Sequence, residues 1–297
     1  MATNNRNLRQ AKLNKNDEFY TQLKDIAEEL EYYSTHFQGK TVLCDCDEPT
    51  SSNFVAYFRQ NFQRLGLHCL IATSTTGTLY RYWGRGSEVR NLPPDSLYPS
   101  GDFRSAACLS VLKEEADIVV TNPPFSLFRP YMQRLFDYEK KFIILGNQNA
   151  ATFNSIFKQI QLNKMWFGVK NGGNKWFKVP EDYSILTKSR QKIVDGVKYF
   201  SLSNTVWYTN LDHPNRYKSL PIECSYNKND YPQYENFDAV EVSSVVKIPK
   251  DYTGNMGVPV TFLYKYNPLQ FSLVDYLNRP FLDGRPIYKR IIIRNIL

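Results

Sequence analysis

Between residues 40 and 165, short unbroken apolar runs alternate with stretches whose apolar residues recur every three or four positions. This alternation limits the fold more than any other feature of the chain. Thr41-Val42-Leu43-Cys44, Leu67 to Ala72, Asp117-Ile118-Val119-Val120 and Phe142-Ile143-Ile144-Leu145 read as buried strands. The stripe Phe19, Leu23, Ile26, Ala27, Leu30, Tyr33, Phe37 and the stripe Phe54, Tyr57, Phe58, Phe62, Leu65 read as helices, the second ended by Gly66. Further helices are expected over 104–114 and 127–138. Strands that alternate with helices imply an α/β fold: a mostly parallel sheet covered by helices on both faces. Ligands in such sheets sit beyond the carboxyl ends of the strands. The segments expected there are Asp45-Cys46-Asp47, Thr73-Ser74, Gly101-Asp102-Phe103, Asn122-Pro123-Pro124-Phe125 and Asn147-Gln148-Asn149, all polar or unusual.

The remaining chain is less regular. Residues 1–16 read as a flexible basic arm, and 73–100 as mostly loop with a hairpin around Tyr80 to Trp83. Beyond Ile160, strand-like runs at 164–169, 198–209 and 258–265 are separated by basic, aromatic and Gly/Asn-rich stretches. The formal net charge is +8, which favours a polyanionic partner. Five cysteines at irregular spacing make no disulfide framework, and Cys44-x-Cys46 is too tight for a zinc pair, so no metal is expected. The polar N-terminus carries no secretory signal and no run is long enough to span a membrane, which fits a reducing cytoplasm.

Asn122-Pro123-Pro124-Phe125 carries the sharpest chemistry. Two prolines stiffen the loop and remove two backbone donors, so it presents carbonyls. An exocyclic aromatic amine is conjugated with its ring and is a poor nucleophile. Two acceptors, the Asn122 side-chain oxygen and the Pro123 carbonyl, can bind its two hydrogens and turn the lone pair towards a methyl donor. Phe125 would stack on the base. Catalysis is then positioning, with no covalent intermediate. In isolation an ordinary Pro-Pro turn reads the same way.

Other candidates stand beside it. Asp102 could accept from the adenine amine of a nucleoside cofactor with Phe103 packing on that ring, although an isolated Gly-Asp-Phe is as well read as a turn. Asp45 and Asp47 suit a cofactor's ammonium or ribose, or the acid-rich start of a helix capped by Ser51 or Ser52. Trp176 or Phe177, beside Lys175 in a Gly/Asn-rich loop, could form a second stacking wall for a flipped base, or be buried aromatics at a hairpin tip. Arg285, Lys289, Arg290 and Arg294 flank the apolar Ile291-Ile292-Ile293 and could meet phosphates, or form a solvated face.

Together, Asp17-Glu18-Phe19-Tyr20-Thr21, Cys44-Asp45-Cys46-Asp47-Glu48-Pro49, Ser52-Asn53-Phe54, Gly101-Asp102-Phe103 and Thr121-Asn122-Pro123-Pro124-Phe125 resemble the EcoRI-type adenine-specific DNA methyltransferase family. Val258-Pro259-Val260-Thr261-Phe262 and Tyr288-Lys289-Arg290 extend the resemblance from about residue 17 to 294. It implies a class I, Rossmann-like methyltransferase core that takes S-adenosylmethionine and acts on a flipped adenine in double-stranded DNA. Phe19, Tyr20 and Thr21 would close over the cofactor, Asp45 and Asp47 would replace a Gly-rich loop, and Asp102, Phe103 and Asn122 would also hold it. The expected organisation is a core over 17–210, with a base-flipping or DNA loop at 168–197, and a DNA target-recognition region at 211–297. A cognate restriction endonuclease is an expected partner in the cell, without a stable complex. Asn-Pro-Pro-aromatic loops also serve cytosine N4, RNA bases and protein glutamine, and an inactive DNA-binding module is the reading from another class. Phe at the fourth place and the basic C-terminal half lean towards DNA adenine.

Overall fold

A computed structural model of the chain describes residues 20–179, 190–202 and 204–296. The arm at 1–16, Phe19 and part of the 168–197 loop lie outside the described residues. The chain divides into two units, one of Met1–Asn147 with Gly173–Leu211, the other of Gln148–Gly172 with Asp212–Leu297. The second unit thus takes in Gln148–Gly172, which the sequence reading had placed in the core.

The first unit opens with α1 (Leu23–Leu30), which tightens into a 3-10 turn over Glu31–Phe37. Strand β1 (Thr41–Asp45) leads to α2 (Asn53–Gln60), whose cap Ser52 accepts from the backbone N–H of Phe54 and Val55. The short α3 (Phe62–Leu65) ends on Gly66 at φ +61°, a left-handed stop that glycine takes without strain. Then come β2 (Cys69–Thr73), β3 (Thr78–Tyr82), β4 (Ser87–Asn91), α4 (Ala106–Glu114), β5 (Ile118–Thr121), α5 (Phe128–Asp137) and β6 (Lys141–Asn147). After β7 (Trp166–Phe167), which belongs to the second unit, follow β8 (Lys175–Lys178), β9 (Gln191–Val194), β10 (Val197–Leu202) and β11 (Thr205–Thr209).

Within this unit the large sheet runs β4-β3-β2-β1-β5-β6-β11. The pairs β1–β2, β1–β5 and β5–β6 are parallel. The outer pairs β2–β3, β3–β4 and β6–β11 are antiparallel. Both faces are buried, as the unbroken apolar runs require. Val42, Cys44, Leu70, Val120, Ile143 and Leu145 join the core under α1 to α3. On the other face Phe142 meets Phe136 of α5, with ring centroids 6.0 Å apart. The stretch expected to be mostly loop with a hairpin around Tyr80 to Trp83 builds the β3–β4 hairpin on the sheet edge, where Leu79 and Tyr80 bury and Arg81 pairs with Glu115 at 2.7 Å. A smaller sheet, β8-β10-β9, closes on an Asp195-Gly196 turn with φ of +50° and +73°.

The second unit holds α6 (Asn154–Gln161) and the sheet β12 (Val240–Glu241), β13 (Met256–Pro259), β17 (Arg290–Asn295) and β14 (Phe271–Leu277), in that order. Ile291, Ile292 and Ile293 are fully buried in β17. A small hairpin pairs β15 (Phe281–Leu282) with β16 (Arg285–Pro286). The strand expected over 258–265 ends at Pro259, and Val260–Lys265 winds as a 3-10 turn. No helix among the described residues is long and apolar enough to cross a membrane.

Candidate active site at the switch point of the sheet

The chain steps from β1 to β2 on one side and later places β5 on the other side of β1. The strand order therefore reverses between β1 and β5, the place where open α/β sheets bind their ligands.

The loop leaving β1 is Asp45-Cys46-Asp47, with Cys46 in the left-handed region at φ +61°. This twist gives the two carboxylates different surroundings. Asp45 is buried and accepts from the Tyr131 hydroxyl and the Arg134 guanidinium, both on α5. Asp47 accepts from the Ser52 hydroxyl at 2.6 Å, and its N–H donates to the Thr73 carbonyl at 3.1 Å. Burial pushes the Asp47 carboxyl up to about 7, against the lowering effect of the Ser52 and Thr121 hydrogen bonds. The Thr121 hydroxyl lies 2.5 Å from both the Asp45 carbonyl oxygen and Asp47 Oδ2. One hydroxyl hydrogen serves one of these two acceptors, so a proton on Asp47 completes the set.

Asn122-Pro123-Pro124-Phe125 follows directly on Thr121, the last residue of β5. Pro123 is buried, while Asn122, Pro124 and Phe125 are half-buried. Phe125–Leu127 forms a 3-10 turn, closed by Leu127 N–H donating to the Pro124 carbonyl at 2.9 Å. Phe128 then opens α5 and lies over Gly146, where an added Cβ would run into its ring. The tetrad is thus fixed at one end by the β5 ladder and the Thr121 hydroxyl, and at the other by Phe128.

Gly101-Asp102-Phe103 does not follow a strand of its own, since β4 ends at Asn91. It reaches the site by packing on the turn after β2: a Cβ at Gly101 would collide with the Ser74 carbonyl and come within 2.6 Å of the Gly77 nitrogen. Asp102 accepts from Arg104 Nε at 2.8 Å and Nη2 at 2.7 Å. Burial pulls the Asp102 carboxyl up, but the Arg104 hydrogen bonds and charge hold it below its ordinary value. Phe103 is buried, with the Tyr131 ring edge-on at 5.1 Å and the Arg134 guanidinium 4.8 Å from its centroid. Thr21 is buried beside α2, where its carbonyl accepts from Asn53 Nδ2 at 2.8 Å and its hydroxyl has no hydrogen-bond partner among the described residues. Tyr20 is exposed and pairs through its backbone with Lys178.

Asp45, Asp47 and Phe103 are therefore joined through Thr121, Tyr131 and Arg134, and Thr121 leads into the tetrad. The other candidates are placed differently. Phe177 is fully buried in the core, so of the two aromatics only Trp176 has exposed surface; the Lys192 ammonium stands 4.5 Å from its ring centroid. Lys175 is also buried. In the second unit, Arg290 is held by the buried Glu241 at 2.6 Å, and Glu241 also accepts from the Tyr234 hydroxyl. Lys289 donates to the Thr152 hydroxyl at 2.8 Å, and burial pulls its ammonium down. Arg285 is exposed. Tyr131 and Arg134 had no role in the sequence reading, where Thr121 stood only as the residue before the tetrad; the local signal for the first two was a Tyr and an Arg three positions apart on the buried stripe of a helix. No group of three or more His, Cys, Asp or Glu able to hold a metal ion occurs among the described residues.

The family described as adenine-specific methyltransferase EcoRI matches residues 7–82 and 84–290. The chain is 42% identical to the Type II methyltransferase M.EcoRI of Escherichia coli, over 99% of this chain and 98% of that protein. It is 38% identical to the Type II methyltransferase M.MpnI of Mycoplasma pneumoniae and 37% to M.MgeORF184P of Mycoplasma genitalium, in each case over 91% of this chain and 86% of the relative. No solved structure matches it. With a rigid Asn-Pro-Pro-Phe tetrad at the switch point of an α/β sheet and a match over nearly its whole length, the chain belongs to the adenine-specific methyltransferase EcoRI family.

Proposed function

We propose that the chain transfers a methyl group from S-adenosylmethionine to the N6 amine of an adenine turned out of double-stranded DNA. The observation that carries this reading is the Asn122–Phe125 tetrad, stiffened by two prolines and tied through the preceding Thr121 to the carboxylate loop after β1. When bound, S-adenosylmethionine supplies an electrophilic methyl group on a positively charged sulfur. The residues present suit it. Asp47 and Asp102 offer carboxylates for an ammonium, hydroxyls or an adenine amine, and the buried Thr21 hydroxyl needs an acceptor such as a carboxylate.

Asn122 and Pro123 accept the hydrogens of the target amine through their carbonyl oxygens and turn its lone pair towards the methyl group. Phe125 stacks on the base, and Trp176 is the candidate for the opposite wall. Unstacking the base costs a few kcal/mol, about what these contacts return. Transfer is one displacement, after which the amine loses its extra proton to water. In the C-terminal unit the exposed Arg285 is the candidate phosphate contact for DNA recognition. A cytoplasmic setting and a cognate restriction endonuclease sharing the same recognition sequence complete the reading.

Asn122→Ala tests it. Turnover should fall about 100-fold or more, the scale for losing one transition-state contact, while S-adenosylmethionine binding by calorimetry stays within about twofold. Equal losses of turnover and binding would make Asn122 a structural residue and remove the reading's support.

A further inference from the structure

Arg134 lies on α5, 6% exposed, against the still more deeply buried Asp45. Its Nη1 donates to the Phe103 carbonyl at 2.6 Å and its Nη2 to Asp45 Oδ2. The guanidinium plane is flanked by two rings, with centroids 4.8 Å away for Phe103 and 4.5 Å for Tyr131. Tyr131 in turn donates to the other Asp45 oxygen. Both carboxylate oxygens of Asp45 are thus taken from within, and the Phe103 ring is enclosed. Both groups, expected to hold the cofactor, are enclosed by the protein, Asp45 at 1% and Phe103 at 2% exposure.

The Gly101–Phe103 segment is joined to no strand, so its position depends on the packing of Gly101 against the turn after β2 and on side-chain ties. A buried ion pair is a poor device for stability alone, because desolvation consumes most of its gain and an apolar pair of similar volume does as well. A planar fork that spans two acceptors while stacking on two rings does something an apolar pair cannot: it sets the spacing between them.

We infer that Arg134 is a positioning residue for the methyl-donor side of the site, clamping the Gly101–Phe103 segment to the carboxyl end of β1 so that Asp102 and Asp47 keep a fixed separation. Asp45 and Phe103 are its anchors. This rests on the reading that Asp102 faces the donor.

Arg134→Lys keeps a charge near Asp45 but loses the fork and the stacked plane. With DNA saturating, the KM for S-adenosylmethionine should rise about 10- to 100-fold, the scale of a misplaced binding group. The KM for DNA, and kcat at saturating donor, should stay within about threefold. Arg81→Lys is the matched control. Arg81 is 8% exposed and gives Glu115 two hydrogen bonds, at 2.9 and 2.7 Å, in a groove lined by the amino-terminal residues Thr41 of β1 and Cys69 of β2. It should lose comparable thermal stability with no change in donor KM. An Arg134→Lys enzyme whose donor KM rises no more than that of Arg81→Lys overturns the inference. Asp102→Asn separates the two layers. If it raises donor KM and Arg134→Lys does not, the clamp falls and the reading of Asp102 stands. If only Arg134→Lys raises it, the reading of Asp102 falls and takes with it the clamp that rests on it. Should Arg134→Lys not fold, Asp45→Asn carries the same test with the same limits.

Discussion

Asp47→Asn should remove a pH dependence that wild-type protein shows in donor binding. Burial holds the Asp47 carboxyl at about 7, where an unfolded chain would have it at the ordinary aspartate value of 3.8. An ammonium or hydroxyl ligand needs the ionised form. About one tenth of the folded protein has Asp47 ionised at pH 6 and about nine tenths at pH 8. The apparent Kd for S-adenosylmethionine should therefore be about tenfold weaker at pH 6 than at pH 8. Asparagine mimics the protonated acid: its oxygen can accept from Ser52 and its amide can donate to Thr121. Binding by the variant should be weak and flat across that range. Stability should move the other way. Between about pH 4 and 7 the unfolded chain has released the proton that folded Asp47 still holds, so wild type loses this group's contribution as pH rises through that window. Asp47→Asn should gain thermal stability relative to wild type from pH 5 to pH 8. Calorimetric titrations and melting curves at pH 6, 7 and 8 provide both readouts. Wild-type binding that is unchanged between pH 6 and pH 8 would refute the reasoning.

Two further outcomes follow from packing. Gly101→Ala puts a methyl group into the Ser74 carbonyl, and should cost about 2 kcal/mol in urea unfolding and weaken donor binding more than DNA binding. Arg290→Ala leaves Glu241 buried without its cation and should cost about 3 to 5 kcal/mol with no loss of salt dependence in DNA binding. Arg285→Ala should leave stability unchanged and lower the salt slope of DNA affinity by about one unit; the reverse pattern would exchange their roles.

Strands β1, β2, β5 and β6 were legible because a strand buried on both faces must be apolar without interruption. The tetrad was legible because two consecutive prolines act through the backbone alone. A hairpin was legible around Tyr80 to Trp83, but the extent of β3 and β4 was hidden because the buried Arg81 is neutralised by Glu115, a residue 34 positions away. The Arg134 clamp was hidden for the same reason: its partners Asp45 and Phe103 lie 89 and 31 positions away in sequence. Choosing between Trp176 and Phe177 needed only the period of a strand. Once Lys175–Lys178 is extended, Lys175 and Phe177 turn inward and Trp176 and Lys178 outward. The Gly and Asn residues before it had drawn the reading towards a loop. Arg290 resembled a phosphate contact until Glu241, 49 positions earlier, supplied its partner.

The central claim is that the tetrad acts on the adenine amine of DNA. Incubating the purified protein with methyl-labelled S-adenosylmethionine and unmethylated duplex DNA, then digesting to nucleosides, tests it directly. The label should run as N6-methyladenine with wild type and be nearly lost with Asn122→Ala. Label in N4-methylcytosine, or none in DNA from an enzyme that binds the donor, would contradict it.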